Sequence, residues 1–412
     1  MVFLLAACIP QQTAGISVDL PAPTTTPEIP LSTPLPTRQP YPPGELVDYT
    51  AQMGDTLPAL AAHFNTTEAE IRTANPIIPG DATTLPSGMP MKIPIYYEPL
   101  YGSSYQIIPD SLFVFGPAAR DFDPAAFVEG TNGWLKNHSE YVGDERRYGG
   151  QLIDYVATNY SISPRVLLAL IEYQAGGLSQ PVMPEGGYIM GFRGDDRDKE
   201  FYQQLLLAAN TLNEGYYNWR TGKMTYIDLA DGRLERVDPW QNSATVSLHY
   251  YFGQFMAKDA YERAIYADGF AKTYRTWFGE PWENVVAHIP GSLQQPYFRL
   301  PFLPGNFWNY TGGPHSAWGR GQPWAALDFA PSGNESGCVP TELYTTAVAD
   351  GLVVRTGNAL AVLDLDGDGD ERTGWVIFYL HIANETLVPQ GAYLMAGDPL
   401  GKPSCEGGNA TG

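Results

Sequence analysis

Basic residues are scarce in this chain: 24 Lys and Arg stand against 45 Asp and Glu, a formal net charge of −21. That balance argues against nucleic acid or an anionic membrane surface as a partner. Cysteine is nearly absent, with only Cys8, Cys338 and Cys405, so at most one disulfide can close within the chain. Past the N-terminus no apolar run is long enough to span a bilayer. Phosphate-cradling glycine loops and nucleophilic Ser or Cys motifs are also missing. What remains is a chain of 412 residues, long enough for about two to four domains.

The densest information lies in Val47–Pro94, VDYTAQMGDTLPALAAHFNTTEAEIRTANPIIPGDATTLPSGMPMKIP. A short β-type run ends in Gly54-Asp55-Thr56, where Asp55 or Thr56 can cap a helix. Leu57, Leu60, Ala61 and Phe64 then recur on one helical face. Asn65-Thr66-Thr67 turns the chain into a second helix with Ile71 inward, and Asn75-Pro76 stops it, because proline disfavours helical geometry in the residue before it. Gly88 leads into a closing strand, Met91–Pro94. This strand-helix-helix-strand unit, with its GDT, NP and G-x-x-x-x-I-P, resembles a LysM domain. The resemblance implies binding of N-acetylglucosamine-containing glycans, hence peptidoglycan, through Gly54, Asp55, Thr56, Asn75 and Pro76.

The chain opens MVFLLAAC, and Leu5-Ala6-Ala7-Cys8 resembles the lipobox of bacterial lipoproteins, in which the cysteine becomes the acylated first residue. The run before Cys8 is short for a signal peptide and lacks a basic n-region. Either the true start lies upstream, or this is an ordinary apolar terminus. From about Pro10 to Gly44 follows a Ser/Thr/Pro-rich stretch that cannot bury enough surface to fold and reads as an extended spacer. The lipoprotein resemblance implies a lipidated Cys8 and one disulfide between Cys338 and Cys405 in an oxidising compartment; two free thiols in a cytosolic protein are the alternative. The expected location is extracytoplasmic, at the cell surface or in the periplasm, with membrane contact only through the lipid anchor.

Between about Ile107 and Pro290 the pattern is aromatic-rich and helical. Gly149–Tyr160 reads as one helix. Ser163 and Pro164 then suit the N-cap and first turn of a second, whose sequence RVLLALIEYQAGG is apolar nearly all round and should be buried. Glu172 near its end must be paired, hydrogen-bonded or kept protonated in a cleft. The S-P-x-L-L-x-A-x-x-E pattern resembles the lysozyme-like fold of lytic transglycosylases and glucosaminidases, which would make Glu172 the catalytic acid. Leu206–Tyr217 resembles the later helix lining the glycan cleft in that fold. Tyr173 and Gln174 depart from the Ser expected after the Glu, and Tyr188–Phe192 is a reduced form of another family segment. A structural Glu172, buried against Arg or Tyr in a degenerate domain, is the alternative.

From Leu300 the chain turns to glycine, proline and short β runs, which argues for an antiparallel sheet. Leu327-Asp328-Phe329-Ala330, Ala347–Val353, Tyr379-Leu380-His381 and Val388–Gly401 follow in the order found in the zinc endopeptidases of the lysostaphin type, which this segment resembles. The resemblance implies zinc on Asp328 and a histidine, with His381 moving a proton or stabilising the tetrahedral intermediate. The residue four before Asp328 is Trp324, which cannot bind zinc. His315, thirteen before, could reach if Ser316–Pro323 loops out, as Gly319 and Gly321 allow; a plain loop histidine is the alternative. The family's H-x-H is not found before Gly412, so a truncated chain, inactive as a peptidase, is expected. Asp364, Asp366, Asp368 and Gly369 imitate an EF-hand loop but place Trp375 at position twelve; an acidic hairpin tip or weak calcium binding are the two readings.

The expected architecture is thus multidomain α+β. It comprises a partial lipoprotein signal (1–8), a linker (9–46), a βααβ LysM module (47–95), a mostly α-helical lysozyme-like domain (107–290), and an antiparallel β metallopeptidase-like domain (300–412). The parent function is expected to be zinc-dependent cleavage of peptidoglycan cross-links. Its rivals are a glycosidase using Glu172 and a non-catalytic wall-binding regulator.

Overall fold

The computed structural model describes residues 35–408 except 83, 97, 99, 144, 284, 290, 292, 319–320 and 334–337. Cys8 and most of the spacer therefore lie outside the described residues.

Strand β1 (Glu45–Thr50) leads through helices α1 (Leu57–His63) and α2 (Glu68–Ala74) to β2 (Pro90–Ile95), which pairs antiparallel with β1. Each start is set by a threonine. The Thr56 hydroxyl accepts from Ala59 N at 3.4 Å. Thr67 and Glu70 form a capping box, with Glu70 N donating to Thr67 Oγ1 and Thr67 N to Glu70 Oε2. Leu57, Leu60, Phe64, Ile71 and Ile93 are fully buried between the helices and the ribbon.

This unit is seated on the helical segment rather than hanging from it. His63 stacks on Trp219 with ring centroids 3.6 Å apart and planes 7° from parallel, and its Nε2 lies 2.9 Å from Trp219 O. Arg236 donates to the carbonyls of Ala62 and His63, satisfying acceptors at the α1 C-terminus. Trp240 meets Phe64 edge-on at 4.9 Å and donates its indole N–H to Asp48 O.

The helical segment contains α3 (Asp110–Phe113), α4 (Pro124–Glu129), the ribbon β3 (Ser139–Val142) and β4 (Glu145–Tyr148), α5 (Gly149–Tyr160), α6 (Pro164–Ala175), α7 (Phe201–Arg220), the ribbon β5 (Tyr226–Asp228) and β6 (Leu234–Arg236), α8 (Ser243–Gly253), α9 (Lys258–Ala264) and α10 (Phe270–Phe278). Helix α6 is its centre: Val166 to Ile171 are all fully buried, as its all-round apolar sequence requires. Ser163 stands at the N-cap but makes no side-chain capping bond; its N–H donates instead to Phe113 O. Helices α7 and α8 pack closely at Gly215, where a Cβ would come within 2.9 Å of Ser247 Cα.

The C-terminal segment begins with the hairpin β7 (Trp308–His315) and β8 (Ala326–Pro331). Next come β9 (Thr345–Thr346), β10 (Gly351–Gly357), β11 (Leu360–Asp364), β12 (Val376–Tyr379), β13 (Tyr393–Leu394) and β14 (Pro399–Gly401). Four of them form an antiparallel sheet in the order β12-β11-β10-β13, and β14 pairs with β9. Tyr379 Oη accepts from Val348 N at 2.8 Å, tying the Ala347–Val353 segment to the end of β12, two residues before His381. Cys338 and Cys405 are joined in a disulfide with Cα atoms 5.7 Å apart, which sets aside the free-thiol alternative. The acidic tip between β11 and β12 faces the helical segment, where Arg120 bridges Asp368 at 2.7 Å and Asp370 at 2.5 Å.

Candidate functional site

The β7–β8 hairpin resolves the spacing problem around Asp328. Cross-strand pairing sets Gly312 opposite Asp328 and His315 opposite Ala326, with register shifts on both sides of Gly312. These irregularities turn His315 toward the Asp328 row. Its Nε2 lies 2.8 Å from Asp328 Oδ2, although thirteen residues separate the two in sequence. Nδ1 lies 2.8 Å from the Ser316 carbonyl. That carbonyl and then the Asp328 carboxylate hold the His315 pKa above its ordinary value. Both side chains are about half exposed. An imidazole whose Nδ1–H is anchored on a carbonyl turns its Nε2 lone pair toward Asp328 once deprotonated, and the two donors then converge as first-row metal ligands do.

Trp324 is engaged elsewhere: Nζ of Lys223, just beyond α7, lies 4.1 Å from its ring centre. The loop between the strands rests on the helical segment and on the sheet. Gly321 fits so closely against Glu214 that a Cβ would meet its carboxylate at 2.2 Å, and Trp318 meets Phe378 of β12 edge-on at 5.5 Å. Sequence reasoning missed these loop contacts, which no local motif encodes.

His381 follows β12 in a left-handed conformation, φ 62°, with Nδ1 2.7 Å from the Glu406 carbonyl. Among the described residues it forms no three-membered ligand cluster with His315 and Asp328; the one such acidic or histidine cluster is Asp364, Asp366 and Asp368. There Asp364 is fully buried and accepts from Gly369 N, while Asp368 is shared with Arg120.

Glu172 is half-buried, and its Oε2 accepts from Leu178 N at 2.8 Å and Ser179 N at 3.1 Å. The carboxylate thus holds the loop that leaves α6 at Gly176. The neighbouring Gln174 donates to Tyr251 Oη, which in turn donates to Met190 O.

In the βααβ unit the polar signature faces inward. Asp55 accepts from Tyr49 Oη and Gln52 N, each at 2.7 Å, and loss of water around its carboxyl pushes it up to about 6. Asn75 is buried: its amide donates to Ile71 O and Lys92 O, and its oxygen accepts from Lys92 N. Gly54 lies against Arg220, whose guanidinium a Cβ would strike at 1.7 Å. Pro76 is exposed beside Ile77, which is 81% accessible.

With this geometry in place, the class of the chain follows at the level of its modules. Residues 49–94 match the model of the LysM domain, and residues 106–292 match that of the LasA N-terminal domain. The second range is the segment in which a lysozyme-like fold is expected from Ser163–Glu172. The protein is a LysM-containing chain similar to LasA. Over 325 residues it is 25% identical to Protease LasA of Pseudomonas aeruginosa strain UCBPP-PA14, covering 74% of this chain and 71% of that protein. The same figures hold for Protease LasA of Pseudomonas aeruginosa strain PAO1. No solved structure matches the chain.

Proposed function

We propose that this protein is a peptidoglycan-directed zinc endopeptidase that cuts peptide cross-links and carries its own glycan-binding LysM module. The observation that carries the reading is the His315–Asp328 pair, convergent at 2.8 Å on a hairpin in a chain similar over three quarters of its length to Protease LasA. His315 Nε2 and Asp328 would hold the zinc together with a third protein donor, since catalytic zinc usually keeps three. Bound there, zinc would lower the pKa of its water toward neutrality and polarise the scissile carbonyl. Ser316 fixes the His315 tautomer through its carbonyl. His381, held through Nδ1 on Glu406 O, would present its other nitrogen to a proton in flight or to the tetrahedral intermediate. Work outside the cytoplasm, anchored by a lipid on Cys8, is part of the same reading. Nucleic acid is not a partner in it.

Glu172 supports the rival glycosidase less well, because its Oε2 already serves two backbone amides. The test uses protein made from the gene's own start to its own stop, incubated with zinc and purified peptidoglycan, with products read by mass spectrometry. New amino termini within stem peptides, lost in His315→Ala and Asp328→Ala, are the expected result. Cut glycans with intact peptides, lost in Glu172→Gln, would transfer the activity to Glu172. Binding without any cleavage would leave a wall-binding regulator.

A further inference from the structure

A cavity of about 480 Å³ lies between the start of α4, the first turns of α5 and Arg147 of β4. Its volume falls in the range of about 300–1,000 Å³ usual for small-molecule sites. No residue given a role by the sequence lines it, and neither Glu172 nor the Tyr188–Phe192 and Leu206–Tyr217 segments reach it.

A close approach of two helices sets its walls. A Cβ on Gly150 would meet Ala125 Cα at 2.6 Å, so α4 and α5 touch beside the cavity. Gln151 and Asp154, three residues apart, share one face of α5. Asp123 caps α4: its Oδ1 accepts from Ala125 N at 2.9 Å and Ala126 N at 3.0 Å. Among the described residues, Asp123 Oδ2 and both oxygens of Asp154 take part in no hydrogen bond. Arg147 is held in place by three contacts. Its guanidinium lies over the Tyr155 ring at 4.4 Å, Nε donates to Val142 O at 3.1 Å, and Nη1 bridges Glu145 at 2.6 Å. Nη2 is left over. Gln151 Oε1 accepts from Tyr148 N at 2.9 Å, which leaves its amide N–H groups to a ligand.

The unspent atoms are thus of two kinds, carboxylate oxygens on Asp123 and Asp154 and N–H donors on Arg147 and Gln151. Two carboxylates repel an anion, and a guanidinium repels a bare cation. The carboxylates also act on each other: loss of water and then the charge of Asp123 raise the Asp154 pKa, against Arg372 and Arg147. An ammonium would relieve that repulsion. Asp123 and Asp154 join no three-membered ligand cluster among the described residues, which disfavours a metal ion in its place. A planar carboxylate suits the paired donors of a guanidinium and an amide. Phe122, fixed by the Arg165 guanidinium 4.3 Å from its ring centre, adds an apolar wall for a carbon chain.

We propose that this cavity binds an α-amino acid as its zwitterion, with the ammonium between Asp123 and Asp154 and the carboxylate on Arg147 and Gln151. The test is titration calorimetry of the full chain with L-lysine, meso-diaminopimelate, cadaverine and glutarate. Saturable binding of the two amino acids is expected. Cadaverine, which lacks the carboxylate, and glutarate, which lacks the ammonium, should bind at least about tenfold more weakly. Asp154→Asn and Arg147→Gln should each lower the lysine affinity at least about tenfold. Asp154 serves no hydrogen bond of the fold, so its variant separates binding from folding, and thermal melts check Arg147→Gln. Cadaverine binding as tightly as lysine would overturn the proposal and leave a cation trap. Lysine affinity unchanged in both variants, or no binding of either amino acid, would also overturn it. With the site established, tighter binding of a wall peptide bearing a free diaminopimelate end would name that peptide as the source, and the reverse order a free amino acid. None of these readouts depends on peptide cleavage, so the proposed function can fail without this site.

Discussion

The βααβ module and the β7–β8 hairpin both carry polar residues at family-like positions, yet the two use them in opposite ways. Asp55 and Asn75 are taken up by partners within the module, and Asn75 alone joins α2 to β2 through three hydrogen bonds. His315 and Asp328 are half exposed and meet chiefly each other. A motif can therefore be a fold signature whose polar atoms are all consumed, or a chemical signature whose atoms are left available. Sequence pattern alone does not tell them apart; hydrogen-bond accounting does.

The largest expected effect tests what holds the hairpin's domain together. The Cys338–Cys405 bridge spans 67 residues, for which chain entropy gives a stabilisation of about 4 kcal/mol. Cys338→Ser should let the C-terminal segment melt or be proteolysed first, with the module and helical segment unaffected; simultaneous loss of all parts would break the contrast. Next, Asn75→Ala should cost about 3 kcal/mol, because it strands a buried donor and two acceptors, as read by chemical denaturation. A loss under about 1 kcal/mol would mean that the module does not depend on its polar core.

The third effect is a pH dependence within the module. Burial against Trp219 pushes His63 down to about 3, so an unfolded chain takes up a proton below 6.5 that the native state refuses. Stability from His63 is complete above 6.5 and is lost as pH falls toward 3. Asp55, raised from 3.8 to about 6, acts in the opposite direction: its stabilisation is complete below 3.8 and is lost as pH rises through 6. The two slopes oppose each other between about 4 and 6. Asp55→Asn should expose a stability that falls on acidification across that window, and His63→Gln one that falls on alkalinisation, each by on the order of 2 kcal/mol. Melts that keep the same slope in both variants would show that these two groups do not carry the titration. The smallest stability effect belongs to the hairpin: His315→Ala should cost under about 1 kcal/mol, as exposed pairs do. Zinc affinity, by titration calorimetry, should fall at least about 100-fold.

Local signals made much of this fold legible. Helix α5 runs from Gly149 to Tyr160 as its periodicity requires, α6 starts at Pro164, and Thr67 caps α2. Caps, turns and one-face spacing act within a few residues, so they survive in the sequence as plain pattern. The choice of Thr56 over Asp55 as cap was not legible, because it depends on Tyr49 drawing the Asp55 carboxylate inward. The closeness of His315 to Asp328 has no spacing signal in the sequence; it is reached only by asking which histidine could stand in for Trp324. The stacking of His63 on Trp219 and the seat of Gly321 on Glu214 both join residues distant in sequence. Those pairings are set by tertiary packing, for which a single chain shows no periodic trace.

The clamp of Trp219 and Trp240 on the βααβ unit has a mechanical consequence. With His63 face to face on one indole and Phe64 against the other, the module is packed directly onto the helical segment behind it. A catalyst on a loose leash sweeps every bond within its radius. Under the proposed function, a catalyst held by a packed handle would address bonds at a set offset and angle from the point of grip, so its spacing along a polymer would follow from the protein's own dimensions.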